Sequence, residues 1–261
     1  GVPARQWART GVGPVPAGIM SGSGPDGMTA IAGTAGITAI AGTAGITAIA
    51  GTAHTPAGAP VGAVLLTHGA GGNRDSPLLI ALCDEWARRG WLAVRYDLPF
   101  RRRRPTGPPS GSAATDRAGI AEAVSTVRAL TDGPLFAGGH SYGGRLTSMV
   151  AAAETVPIDA LVLSSYPLHP PGKSDSLRTG HFGAIRVPTL FSHGTNDPFG
   201  SLAELRTAAT LIPAPTDILE VSGARHDLGF GKASTRRPSD PGGTKDPDLA
   251  TLAVDAALRL W

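Results

Sequence analysis

Between Pro134 and Glu154 the chain reads PLFAGGHSYGGRLTSMVAAAE, a stretch that few folds accommodate. Leu135, Phe136 and Ala137 form a short apolar run that enters a knot of glycines. Ser141 stands inside Gly139, His140, Ser141, Tyr142, Gly143, and an alanine-rich helical pattern follows. This is strand, sharp turn, helix. A serine on such a turn is held in a strained backbone conformation that only small neighbours permit, because a side chain at 139 or 143 collides with the adjoining strand or helix. The turn pushes the hydroxyl outward. It also aims backbone N–H groups and a helix N-terminus at one point, where a developing oxyanion needs them. In a chain with 36 glycines the five-residue pattern alone is compatible with an ordinary turn. The flanking strand and helix make Ser141 a candidate nucleophile.

The surrounding pattern is α/β. VGAVLLT (61–67) is an apolar strand ending in His68, Gly69, Ala70, Gly71, Gly72. Ser76 then caps a helix with Pro77 at its first position, Leu78, Leu82 and Trp86 on its buried face, and Gly90 closing it. WLAVRY (91–96) is the next strand, followed by a loop carrying Arg101 to Arg104 as far as Ser112, and a helix from about Thr115 to Leu130. After the Ser141 unit come strand ALVLSS (160–165), a Pro-rich loop YPLHPPGK, strand PTLFSH (188–193), a helix after Ser201, strand DILEV (217–221), and a last helix that Asp246 and Pro247 are expected to cap. Strands and helices alternating at this spacing specify a mostly parallel sheet covered by helices on both faces.

Residues 1–55 are different. A Gly/Pro-rich arm precedes three copies of a nine-residue unit, MTAIAGTAG, ITAIAGTAG and ITAIAGTAH, over Met28 to His54. An odd period moves the isoleucines of successive copies to opposite faces of a helix or strand, so no continuous amphipathic face forms. Extended structure leading into a domain at 56–261 is expected. The Gly and Thr content argues against a membrane span, and no basic segment followed by a compact apolar one marks a signal peptide, which points to the cytoplasm. With 23 Lys+Arg against 20 Asp+Glu, the chain lacks the charge of a nucleic-acid binder. Cys83 is the only cysteine, so neither an intrachain disulfide nor a cysteine-built metal site is available; it reads as a buried structural thiol beside Trp86.

In such a sheet, ligands bind at the C-terminal ends of the strands. Ser141, Asp197 and His226 all fall there, in that order. A serine hydroxyl needs a base to take its proton, and the base needs an acid to fix its tautomer. These residues are the expected nucleophile, acid and base, although Asp197 alone also suits a helix cap and His226 a surface loop. The backbone N–H groups of Ala70 and Tyr142 are the expected oxyanion donors. Further expected contacts with substrate are His68, Gly69, His140 and His169, the second-to-last read chiefly as a packing ring. The run Arg101 to Arg104 is either a solvated loop or a site for a carboxylate, a phosphate or an acidic partner, with Arg101 and Arg104 as contacts. No histidine spacing suits zinc, and His54, His181 and His193 have no expected role.

Taken in order, HGAGG, LPFRRRRP, GGHSYGGR, YPLHPPGK, HGTNDPFG and RHDL resemble the α/β-hydrolase branch that includes bacterial dienelactone-hydrolase-like proteins and animal proteins of the Tex30 and KANSL3 type. The likeness runs from about Pro56 to the C-terminus. It implies the α/β-hydrolase fold with no large lid, Ser141, Asp197 and His226 at the triad positions, and no cofactor. The expected activity is hydrolysis of an ester, lactone or thioester of a small or extended acyl group. The animal members, as components of chromatin complexes, imply the alternative of a non-catalytic module that binds an anionic ligand or a protein.

Overall fold

A computed structural model describes residues 44–109, 112–231 and 248–261. Strands β2 (Ala63–Thr67), β3 (Leu92–Tyr96), β4 (Leu135–His140), β5 (Ala160–Ser164), β6 (Thr189–Gly194) and β7 (Thr216–Val221) form a parallel sheet, and β1 (Gly51–His54) joins its edge antiparallel to β3. The strand order is β1-β3-β2-β4-β5-β6-β7. The central strands are buried on both sides, which is why AVLLT is apolar throughout rather than alternating. Period two still sorts the side chains. Ala63, Leu65, Leu92, Val94, Leu135, Ala137, Leu161 and Leu163 enter one core layer, while Val64, Leu66, Ala93, Phe136 and Ala160 enter the other.

Helices α4 (Ala113–Arg128) and α5 (Tyr142–Ala152) cover the first layer, and α2 (Pro77–Arg88) and α7 (Leu249–Leu260) pack together over the second. A helix α6 (Leu202–Ala209) is closed at its start by a full capping box between Ser201 and Glu204. Helix α7 is capped by Asp248, which accepts from Thr251 N at 2.9 Å. The caps expected at Asp246 and Pro247 lie outside the described residues.

Two segments depart from the sequence pattern. The last copy of the repeat is not extended throughout. Ala44–Ala48 forms a short helix, α1, whose Ile46 is buried together with Ile49 in the first core layer, and only Gly51–His54 is strand. Copies before residue 44 lie outside the described residues. The second departure is at the arginine run, where Pro99–Arg103 forms a five-residue helix, α3, instead of a loop. Pro99 occupies its first turn, and the buried carboxylate of Asp116 accepts from Phe100 N at 2.9 Å, supplying the cap from a distant helix.

Candidate active site

Ser141 joins β4 to α5 with φ 50° and ψ −116°. A non-glycine residue held there costs about 1–3 kcal/mol and persists only when its surroundings impose it. The neighbours do so. Ser141 N donates to Ser164 O at 2.9 Å, and Arg145 N donates to Ser141 O at 2.9 Å. A Cβ at Gly139 would stand 2.2 Å from Thr67 O, and one at Gly143 would stand 2.5 Å from His68 O. Glycine at both positions is therefore a steric requirement of the turn.

The three chemical groups expected from the sequence converge. Ser141 Oγ lies 2.8 Å from His226 Nε2, and His226 Nδ1 lies 2.8 Å and 3.0 Å from the two carboxylate oxygens of Asp197. The Asp197 side chain has no exposed surface. It also accepts from Phe199 N at 2.9 Å, so its orientation is fixed from both sides. Donation from His226 Nδ1–H leaves Nε2 facing the serine with its lone pair, the tautomer a general base requires.

Two side chains brace His226. The Phe199 ring lies with its centroid 4.2 Å from the imidazole, tilted by 35°. His140 Nε2–H donates to His226 O at 2.8 Å, so His140 holds the loop of the base and does not face substrate. Burial pushes the His140 ring down to about 4. An unfolded histidine begins to take up protons below about pH 6.5, whereas folded His140 stays neutral until about pH 4. The unfolded state then binds more protons across this window, and stability falls as pH drops through it. His140→Gln keeps a donor but does not titrate. Urea denaturation at a series of pH values should show it losing less stability between pH 7 and 4 than wild type, by roughly 2 kcal/mol.

The loop after β2 stands on the other side of the nucleophile. A Cβ at Gly69 would lie 3.3 Å from Ser141 Cβ and 2.8 Å from His140 Nδ1, so only glycine lets this loop approach so closely. Among the described residues, the N–H groups of Ala70 and Tyr142 have no hydrogen-bond acceptor. His68, expected on substrate, is instead wholly buried. Its Nδ1–H donates to Gly69 O at 2.8 Å and its Nε2 accepts from Leu98 N at 3.2 Å. Burial holds its pKa below the usual histidine range, in keeping with a neutral strut.

Arg101 is a second correction. It is only 5% exposed. Its guanidinium donates to the carbonyls of Gly72 (2.7 Å), Ala70 (2.9 Å), Gly107 (3.0 Å) and Arg104 (3.1 Å), which engages four of its five N–H groups. It is a clamp on the loop that carries Ala70. Arg101→Met should leave those carbonyls unpaired, cost roughly 2–4 kcal/mol in thermal denaturation, and lower kcat through a loosened loop. Arg104 is exposed, its guanidinium against Gly107. His169 is buried; its Nδ1–H donates to Pro170 O at 2.8 Å and its N–H to Phe199 O at 3.0 Å, so it supports the residue stacked on His226.

Other groups at the site carry no signal in the sequence. Asp116 accepts from the Tyr142 hydroxyl at 2.9 Å as well as from Phe100 N, tying α4 to both α3 and the residue after the nucleophile. Phe199 lies two residues past Asp197, and nothing in its spacing marks a stacking partner. A second serine–histidine pair, Ser148 Oγ to His181 Nε2 at 2.8 Å, has a fully buried serine and, among the described residues, no carboxylate on the histidine. It lacks the acid, and its serine lies within α5, not on a strained turn. Among the described residues no group of His, Cys, Asp and Glu side chains could hold a metal ion, and no helix is long and apolar enough to cross a membrane.

Solved structures share this architecture. A dienelactone hydrolase from Anabaena variabilis superposes with a TM-score of 0.58 at 18% identity, covering 80% of this chain and 89% of that one. Est1E from Butyrivibrio proteoclasticus gives 0.57 at 15% identity, with 68% and 86% covered. An α/β serine hydrolase without lid from Xanthomonas campestris gives 0.54 at 16%, with 68% and 80% covered. At such identities the likeness is one of fold. The family evidence lies in the sequence itself, where the profile of the alpha/beta hydrolase domain matches residues 60–241 and so takes in the strained turn, the acid and the base. With that match spanning most of the chain, and the sheet and its helices as the fold requires, the protein belongs to the alpha/beta hydrolase family.

Proposed function

We propose that the protein is a serine hydrolase of ester-type bonds, acting on an ester, lactone or thioester through an acyl-enzyme. The observation that carries this is the unbroken chain of 2.8 Å contacts from Ser141 Oγ through His226 to Asp197, drawn from three separate strand ends. Ser141 Oγ attacks the substrate carbonyl carbon as its proton passes to His226 Nε2. Asp197, buried and bonded to His226 Nδ1, stabilises the imidazolium and keeps its orientation. The negative charge on the carbonyl oxygen is received by the N–H groups of Ala70 and Tyr142, which need no reorganisation because the Arg101 clamp and the α5 N-terminus already hold them. Collapse of this intermediate expels the alcohol or thiol, protonated by His226. Water, deprotonated by the same imidazole, then releases the acid and restores Ser141.

Within the family we assign the chain to the dienelactone-hydrolase-like branch that also holds the Tex30 and KANSL3 type, on its ordered motifs; the hydrolase domain expected at 56–261 also takes in the end of the repeat, whose α1 and β1 join its core and sheet. The non-catalytic alternative has a pocket or the Arg101–Arg104 run binding a partner; within that run Arg101 is engaged by backbone carbonyls, while Arg102 to Arg104 are exposed. A screen of p-nitrophenyl esters of graded acyl length tests the proposal. Turnover of the short members is expected. Folded wild-type protein that cleaves none of them and reacts with no fluorophosphonate would refute it.

A further inference from the structure

The two N–H groups expected to receive the oxyanion are held through their neighbours rather than by bonds of their own, and the two lines of contact meet at one side chain. Asp116 lies in the first turn of α4 and is only 2% exposed. One of its carboxylate oxygens accepts from Phe100 N and the other from the Tyr142 hydroxyl, each at 2.9 Å. Capping α3 needs only the first of these bonds. The second crosses to the helix of the nucleophile and does nothing for α3.

The first line runs to Ala70. A helix of five residues is not stable in water by itself, so α3 depends on what it rests against. It rests on α4: besides the bond to Asp116, a Cβ at Gly119, on the next turn of α4, would stand 2.3 Å from Pro99 Cγ. From this base α3 grips the loop after β2. Arg101 takes the carbonyls of Ala70 and Gly72, Leu98 N donates to His68 Nε2 at 3.2 Å, and the Phe100 ring stands edge to face with the His68 ring at 5.6 Å. The second line runs to Tyr142. Its ring is also edge to face with Phe100, at 5.8 Å, and its hydroxyl ends on Asp116. A side chain anchored along its ring and at its tip leaves its own backbone N–H little room to turn. Burial, and then the bond to Asp116, raises the phenol above the usual tyrosine range, so the hydroxyl stays a donor.

We propose that Asp116 is a positioning residue for the oxyanion site: it holds the loop of Ala70 through α3 and Arg101, and it holds Tyr142 through the hydroxyl, so that one buried carboxylate sets the spacing of both N–H groups. The proposal rests on the hydrolase function above, and its test separates the two. Misplaced oxyanion donors weaken binding of the transition state and not of the ground state, so the loss falls on kcat. With p-nitrophenyl butyrate, well below each variant's thermal midpoint, Asp116→Ala should lower kcat by about 30-fold and move KM by less than about twofold. Asp116→Asn keeps an acceptor for Phe100 N and offers an amide N–H to the Tyr142 hydroxyl, and should recover most of the rate. Tyr142→Phe should cost about tenfold in kcat in the wild-type background and less than about twofold once Asp116 is alanine. Tyr142→Phe carries the test alone if Asp116→Ala does not fold. A loss that falls on KM, or losses that simply multiply in the double variant, would overturn the role, because Asp116 and Tyr142 would then be acting separately or only through the fold.

The second arm needs no turnover. Hydrogen exchange read by mass spectrometry should quicken in Asp116→Ala in both the segment Thr67–Arg74 and the segment Ser141–Thr147, and in Tyr142→Phe in the second segment alone. Ester cleavage with kcat unchanged in Asp116→Ala and Tyr142→Phe overturns the positioning role and leaves the hydrolase intact. Quickened exchange in both segments, in a protein that cleaves no ester, upholds the hold of Asp116 on the two N–H groups and overturns the hydrolase.

Discussion

Ser141→Ala should abolish labelling by a fluorophosphonate probe and lower kcat by about 10⁴-fold or more. The size follows from the three groups acting as a unit: without the hydroxyl, His226 has no proton to accept and the acyl-enzyme cannot form. What remains is the oxyanion site, able to bind a carbonyl but not to attack it. Ser148→Ala is the informative control. Ser148 also contacts a histidine at 2.8 Å, but it is fully buried, and its hydrogen is already donated to Arg145 O at 2.8 Å. Labelling should survive in Ser148→Ala. Mass spectrometry of the labelled protein should place the adduct on the peptide containing Ser141, and an adduct on Ser148 would overturn the assignment.

Asp197→Asn should lower kcat by about 10⁴-fold while the protein stays folded. The substitution preserves size, but an amide nitrogen facing His226 Nδ1 forces that atom to become the acceptor. The proton moves to Nε2, which then presents N–H to Ser141 and can no longer serve as base. Two neighbouring acids provide the comparison. Asp227 follows His226 in sequence, yet it is exposed and its carboxylate accepts from Gly229 N at 3.0 Å. Asp97 accepts from Arg74 N at 2.8 Å and stands 3.4 Å from His68, not His226. Asp227→Asn and Asp97→Asn should leave kcat within a few-fold of wild type in the same ester assay. An equal loss from Asp97→Asn would remove Asp197 from the role of acid.

The parts of this protein legible in sequence are those whose cause is local. Gly139 and Gly143 mark the turn because only a missing Cβ clears Thr67 O and His68 O, and a glycine is visible in any window that contains it. Apolar runs marked β2 to β6, and Leu78, Leu82 and Trp86 marked α2, because one element's burial is written in its own period. The order Ser141, Asp197, His226 at strand ends was likewise readable, since a parallel sheet collects those ends on one edge.

What the tertiary structure decided depends on residues far apart in the chain. Arg101 is indistinguishable from Arg102, Arg103 and Arg104 in sequence. Its burial follows from the carbonyls of Gly72 and Ala70, which approach only once β2 and β3 lie side by side. Helix α3 exists because Asp116 caps it from α4. The repeat gives the plainest case. Its second and third copies differ only in ending at Gly45 or His54, so local pattern alone offers β1 more than one register. The choice is made by His54, whose Nδ1–H donates to Asp84 at 2.7 Å and whose Nε2 accepts from Arg95 Nε at 2.8 Å. Periodicity determined which segments could become helix or strand; contacts between distant residues decided which arginine is buried, which histidine braces the base and where the edge strand is pinned, because the free energy of those contacts exists only after the chain has folded.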